Sequence, residues 1–134
     1  MEFRVVLPSL PLERTMSTSH IVALFEANRR LLMEHRDIPV NVVTTFLGAA
    51  LWEDYVNRDG EPMNLEELAV KVGITPTTIS GHLRYLGENY RPYKAGLGLV
   101  ETEQYDHNRR KKVFCLTPKG RGLIRQLDLI LRKA

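Results

Sequence analysis

Between Asn64 and Leu86 the chain spells two short helices joined by one tight turn, and this stretch constrains the fold more than any other. Asn64 suits an N-cap, and Glu67 stands three residues on, the reciprocal arrangement of a capping box. Leu65, Leu68, Ala69 and Val72 then share one apolar face. Gly73 follows the last periodic residue, where a left-handed C-cap is usual. Thr75-Pro76 starts a second helix, with Thr75 as N-cap and Pro76 in its first position. Ile79, Leu83 and Leu86 are its buried stripe. Residues 64–86 are therefore expected to form a helix-turn-helix. Outside the stripe the second helix offers Thr77, Thr78, Ser80, Gly81, His82, Arg84 and Tyr85. These are small and hydrogen-bonding near the start, cationic and aromatic further on. Such a helix can enter a major groove about 12 Å wide and present donors and acceptors to base edges.

From Leu99 the period changes. Val100, Thr102 and Gln104 alternate with Leu99, Glu101, Glu103 and Tyr105, which predicts a strand. Asp106-His107-Asn108 is turn chemistry, and residues 113–116 read as a second strand. The resulting hairpin, a wing over 99–116, carries Arg109, Arg110, Lys111 and Lys112 beside its tip. Four cations there suit phosphates or a minor groove. Thr117 then caps a last helix over 118–133, with Leu123, Ile124, Leu127, Ile130 and Leu131 on its apolar side.

Upstream, a helix is expected over 18–35, capped by Ser17, Thr18 or Ser19, with Ile21, Leu24, Phe25, Leu31 and Leu32 near one face. A second is expected over 39–57, its buried stripe Val43, Phe46, Leu47, Ala50 and Leu51, ending in the turn Asn57-Arg58-Asp59-Gly60. Residues 1–16, with Pro8 and Pro11, read as an extended arm. Residues 17–134 then make one domain, mainly α with a small β-hairpin wing.

Charge supports the same reading. Residues 1–75 carry 7 Lys/Arg and 11 Asp/Glu, a balance of −4, whereas residues 76–125 carry 10 and 4, a balance of +6. An acidic half joined to a basic half is expected where one face meets a polyanion. At 134 residues the chain can bury one core. No apolar run approaches the ~18 residues of a membrane span, and no signal peptide is read. The single cysteine, Cys115, fits a reducing cytoplasm and reads as a small buried hydrophobe. His20, His35, His82 and His107 are scattered without metal-ligand spacing. No nucleophile motif, phosphate-binding glycine loop or framed carboxylate pair is present, so no enzyme activity and no cofactor are expected. Residues 87–97 interpose an insertion in which Tyr90, Arg91, Tyr93 and Lys94 alternate aromatic and cationic side chains, suited to phosphate contact or to loop packing.

In their order, the helix-turn-helix, Gly98-Leu99-Val100, the basic hairpin and Leu116-Thr117-Pro118-Lys119-Gly120 resemble the MarR-type winged-helix regulators. The segment Leu65-Glu66-Glu67-Leu68-Ala69 and the Thr78-Ile79-Ser80 core fit best, and the likeness covers about residues 39–127. It implies a homodimer joined through the N- and C-terminal helices, with one recognition helix and one wing per protomer. It implies a sequence-specific duplex-DNA-binding transcription regulator, a repressor, cytoplasmic and nucleoid-associated. By position Thr75, Thr77, Thr78, Ser80, Gly81 and His82 face the major groove. Arg110 is then the wing arginine, with Arg109 and Lys111 near phosphates. A small-molecule effector pocket between the dimer helices and the DNA-binding lobe is implied as well. Gly81 stands where the family often has a basic residue, and Asn108 where it usually has an acidic one. The insertion at 87–97 is expected as a lengthened helix end or a loop near the wing. Winged helices also serve as protein-interaction modules and in plasmid or phage replication and partition, and the residues leave both readings open.

Overall fold

The computed structural model describes residues 18–92, 94–105 and 108–134, without the side chains of 108–110. The predicted arm, 1–16, lies outside that set, as do Ser17, Tyr93, Asp106 and His107. The chain runs α1 (Ser19–Leu32), α2 (Val40–Trp52), α3 (Leu65–Val72), α4 (Pro76–Leu86), β1 (Asn89–Arg91), β2 (Lys94–Ala95), β3 (Val100–Tyr105), β4 (Asn108–Leu116) and α5 (Pro118–Arg132). The two strand pairs are separate antiparallel hairpins. No helix among the described residues is long and apolar enough to cross a membrane.

The caps behave as their residue types require. Asn64 accepts the Glu67 N–H at 2.8 Å while the Glu67 carboxylate accepts the Asn64 N–H at 3.2 Å. Gly73 closes α3 at φ +88°, a left-handed conformation that costs glycine nothing. Thr75 caps α4 and Thr117 caps α5, each followed by proline. Helix α1 starts at Thr18 without a side-chain cap. Helices α1 and α2 are shorter than expected: α1 ends at Leu32, and α2 ends at Trp52.

Phe46, Leu68, Ile79, Leu86, Leu99 and Val100 are the largest fully buried apolar side chains. They join α2, α3, α4 and the start of β3 into one core. The predicted α4 stripe is the buried one, whereas the α2 stripe is rotated by about one residue. Val42, Thr45, Phe46, Gly48 and Ala49 are buried, while Leu51 is 73% exposed. Helix α2 is apolar on nearly every side, so periodicity alone selects no face. Small residues select it: a Cβ on Gly48 would lie 2.9 Å from Val72 of α3, so α3 approaches there. In α1 the core side is Ala23, Ala27 and Leu31; Ile21, Leu24, Phe25 and Leu32 stand half-exposed on the other side. Helix α1 lies on α5, with Arg30 donating to the Gln126 amide oxygen at 2.5 Å. Leu123 and Leu127 of α5 are buried, but Leu131 is exposed.

The insertion is neither a lengthened helix end nor an open loop. Helix α4 stops at Leu86, and residues 89–95 fold as the β1–β2 hairpin. Backbone bonds then return the chain onto the end of α4. Leu97 N–H donates to Tyr85 O at 2.9 Å, Gly98 N–H to Gly87 O at 2.9 Å and Leu99 N–H to Leu86 O at 2.7 Å. Two strands of three and two residues gain their stability from this docking, which local sequence does not display.

Candidate nucleic-acid interface

Helix α4 is pinned to the core by Ile79, Leu83 and Leu86, so the side about 180° away points outward. At roughly 100° per residue that outer side carries Thr77, Gly81 and Arg84, flanked by Ser80 on one edge and Thr78 on the other. Thr77, Thr78, Ser80 and Arg84 are exposed. The first turn is ordered by Thr75, whose hydroxyl oxygen accepts the Thr78 N–H at 3.1 Å and whose O–H donates to the Thr78 hydroxyl at 2.9 Å. No acidic residue occupies this turn, so the positive end of the helix dipole is not neutralised there. A Cβ on Gly81 would meet nothing within 4 Å, leaving room for another molecule to approach the backbone.

The wing is the β3–β4 hairpin, paired from Val100↔Leu116 to Gln104↔Lys112 with an irregularity before Tyr105. A bridge between Asn64 and Val113 fastens it to the start of α3. As a result Pro76 and Ser80 of α4 and Lys111 and Lys112 of β4 line one cleft of about 380 Å³. Lys112 is exposed. Lys111 has a partner within the fold, the Glu61 carboxylate at 3.2 Å, so part of its charge is already answered. The side chains of Arg109 and Arg110, candidates for phosphate contact, lie outside the described residues.

Two predicted residues of α4 are engaged by other parts of the fold. The His82 Nδ1 lies 2.9 Å from the hydroxyl of Thr45, a fully buried residue of α2. That hydroxyl also lies 3.1 Å from the Asn41 carbonyl, which can only accept. The arrangement satisfying all three groups has Thr45 donating to Asn41 and His82 Nδ1–H donating to Thr45. Burial holds the His82 pKa below its ordinary value. Tyr85 is wedged edge-on between His35, at 6.0 Å, and Tyr90, at 5.2 Å. Burial, then the neighbouring Tyr90 and Asp37, push its phenol up. His82 and Tyr85 thus line a separate cleft of about 730 Å³ between the α1–α2 turn, α4 and the β1–β2 hairpin. Sequence reasoning missed that the hairpin carries Arg91 and Lys94 to this flank of α4. The alternation of aromatic and cationic residues was the available signal.

Cys115 sits opposite Glu101 in the wing base. Burial and Glu101 raise its thiol pKa, so the thiolate is disfavoured. Glu53 is the chief tie behind the wing: its carboxylate accepts from Arg121 at 2.6 Å and from the Leu116 N–H at 3.4 Å.

No family model and no curated protein matches the chain. Solved structures do. A MepR mutant from S. aureus bound to an oligodeoxyribonucleotide is 21% identical, with a TM-score of 0.59 over 90% of this chain and 74% of that one. CouR from Rhodococcus jostii, bound to p-coumaroyl-CoA, is 20% identical, with a TM-score of 0.54 over 91% and 73%. A transcriptional regulator of the MarR family from a Rhodococcus species is 21% identical, with a TM-score of 0.55 over 92% and 76%. The helix-turn-helix, the wing and the flanking helices therefore compose the winged-helix fold found in MarR-family regulators.

Proposed function

We propose that the chain is a homodimeric MarR-type regulator that binds duplex DNA in a sequence-specific way and represses transcription by occupying its operator. The observation that carries this reading is the cleft where Pro76 and Ser80 of α4 meet Lys111 and Lys112 of the wing. It joins a helix end suited to base edges and a cationic hairpin suited to phosphates on one surface. The neighbour bound to an oligodeoxyribonucleotide has the same fold. On this reading Thr75, Thr77, Thr78, Ser80, Gly81 and Arg84 face the major groove, and Arg109, Arg110 and Lys112 neutralise phosphates. His82 and Tyr85 support the flank of α4. Dimerisation would cover Ile21, Leu24 and Phe25 of α1 and Leu129 and Leu131 of α5, which stand exposed in the single chain. A small-molecule effector fits the same reading, since CouR among the neighbours is bound to p-coumaroyl-CoA. The protein acts without catalysis, in the cytoplasm at the nucleoid.

The test is a binding titration of the intact protein against a duplex selected from a random library and against random duplex. Arg110→Ala is expected to weaken both and to lower the salt slope by about one. Thr78→Val is expected to change the preferred sequence and leave the salt slope alone. An unchanged salt slope in Arg110→Ala overturns the wing assignment. Absence of binding to any duplex favours a protein-interaction module. A selected site that lies at a replication or partition locus, with none at a promoter, overturns the repressor role.

A further inference from the structure

The β1–β2 hairpin has no part in the interface described so far, yet it is built in an unusual way. Tyr90 stacks edge-on against Tyr85 of α4, with centroids 5.2 Å apart at 88°. The Arg91 guanidinium lies 4.8 Å over the Tyr90 ring and donates to its hydroxyl at 3.2 Å. The Lys94 ammonium lies 5.7 Å over the same ring. One ring, itself held by α4, therefore carries two cations, and both are exposed.

The cations of the molecule differ in what they face. Arg30, Lys111, Lys119, Arg121 and Arg132 each have a carboxylate partner. Arg84, Arg91 and Lys94 are among the described cations with none at ion-pair distance. These three line the 730 Å³ cleft together with Gly81. One acid, Asp37, lines it too, so three cations stand against one carboxylate. Ordering long cationic side chains without a counter-charge costs rotamer entropy, which a polyanion would offset.

The position of the cleft narrows the partner. Gly81 and Arg84 belong both to the cleft and to the outer side of α4. Ser80, which meets the wing, and Tyr85, which meets the hairpin, lie on opposite flanks of that helix by its own geometry. A helix seated in a major groove has a phosphate strand on each flank. The wing accounts for one flank. We propose that the β1–β2 hairpin is a further DNA-contacting element, in which Arg91 and Lys94 hold backbone phosphates on the flank opposite the wing. This rests on the DNA-binding reading above. The contact carries no sequence information; it lengthens the footprint and fixes α4 from both sides.

The test compares the intact protein with the variant Arg91→Gln/Lys94→Gln, titrating labelled random duplex from about 50 to 200 mM salt. Loss of two phosphate contacts lowers the log–log salt slope by about 1.8, so the affinity gap between the two proteins narrows about tenfold across that range. Arg91→Lys is expected to retain the slope. The variant Arg125→Gln/Lys133→Gln removes the same charge on α5 and is expected to leave the slope nearly unchanged. A slope that is equal in wild type and Arg91→Gln/Lys94→Gln overturns the proposal and leaves the DNA-binding reading standing. An equal loss in the α5 variant also overturns it. Wild-type protein that binds no duplex overturns both. Hydroxyl-radical footprinting of the wild-type complex decides independently of any variant. Protection of both strands bordering the major-groove segment supports the hairpin, and protection on the wing side alone overturns it.

Discussion

At the scale of single residues, His82 changes meaning between sequence and structure. Its place in the second helix suggests a side chain for reading bases, but its Nδ1 is spent on the buried Thr45 hydroxyl of α2. Helical spacing puts residue 82 on the edge of the core side, and only the neighbouring helix reveals a partner there. The consequence is measurable. The folded chain holds His82 below its ordinary pKa because burial penalises the charged ring, whereas the unfolded chain takes up the proton at about pH 6.5. Below that pH the unfolded state binds more protons at this site, so stability is full above pH 6.5 and declines as pH falls. His35, Asp37, Arg84, Arg91 and Lys94 line the same cleft, and burial is what lowers the pKa. Melting of wild type and His82→Gln between pH 8 and pH 5 is expected to show the larger loss in wild type. Equal losses would remove His82 from the account. Thr78 and Ser80, by contrast, stand exposed where their spacing puts them.

At the scale of elements, legibility followed local chemistry. The α3–α4 pair was readable because its signals are local: a capping box, a left-handed glycine, a threonine cap before proline. The face of α2 was not readable, because close approach at Gly48 decides it. The β1–β2 hairpin was not readable either, since backbone bonds from Leu97 and Leu99 to α4 hold it. The joint between β3 and α5 explains physically why Gly98-Leu99-Val100 goes with Leu116-Thr117-Pro118-Lys119-Gly120. Thr117 donates its O–H to the Gly98 carbonyl at 2.7 Å and its N–H to the Leu99 carbonyl at 3.0 Å. The same hydroxyl oxygen accepts the Gly120 N–H at 3.0 Å and caps α5. A Cβ on Gly120 would lie 2.1 Å from the Leu99 carbonyl oxygen, so only glycine lets α5 sit this close. Gly120→Ala is therefore expected to cost about 1–3 kcal/mol in chemical denaturation as an overpacking change. A loss under about 0.5 kcal/mol, the size of an ordinary surface change, would show that α5 is not held there.

At the scale of the whole molecule, two surfaces oppose each other in character. The helix-turn-helix, wing and inserted hairpin gather cations without acidic partners, chiefly Arg84, Arg91, Lys94 and Lys112. The α1–α5 side gathers uncovered apolar residues: Phe25 is 48% exposed, Leu24 53% and Leu129 58%. The sequence showed the first as a charge imbalance between residues 1–75 and 76–125. It showed the second as an amphipathic stripe, whose solvent-facing side in the single chain emerges only from how α1 lies on α5. A second copy covering that side would bury the stripe that the periodicity of α1 predicts. Sedimentation at micromolar concentration is expected to give a dimer for wild type and a monomer for Leu24→Asp/Phe25→Asp, the variant keeping its helical circular dichroism. A wild-type monomer, or a variant that stays dimeric, contradicts that use of the apolar side. DNA binding itself is tested most directly by titrating labelled random duplex with wild-type protein at low salt and repeating the titration as salt is raised. Saturable binding at or below about micromolar protein, weakening linearly on a log–log plot against salt, is the expected result; no binding at low salt, or binding indifferent to salt, would contradict it.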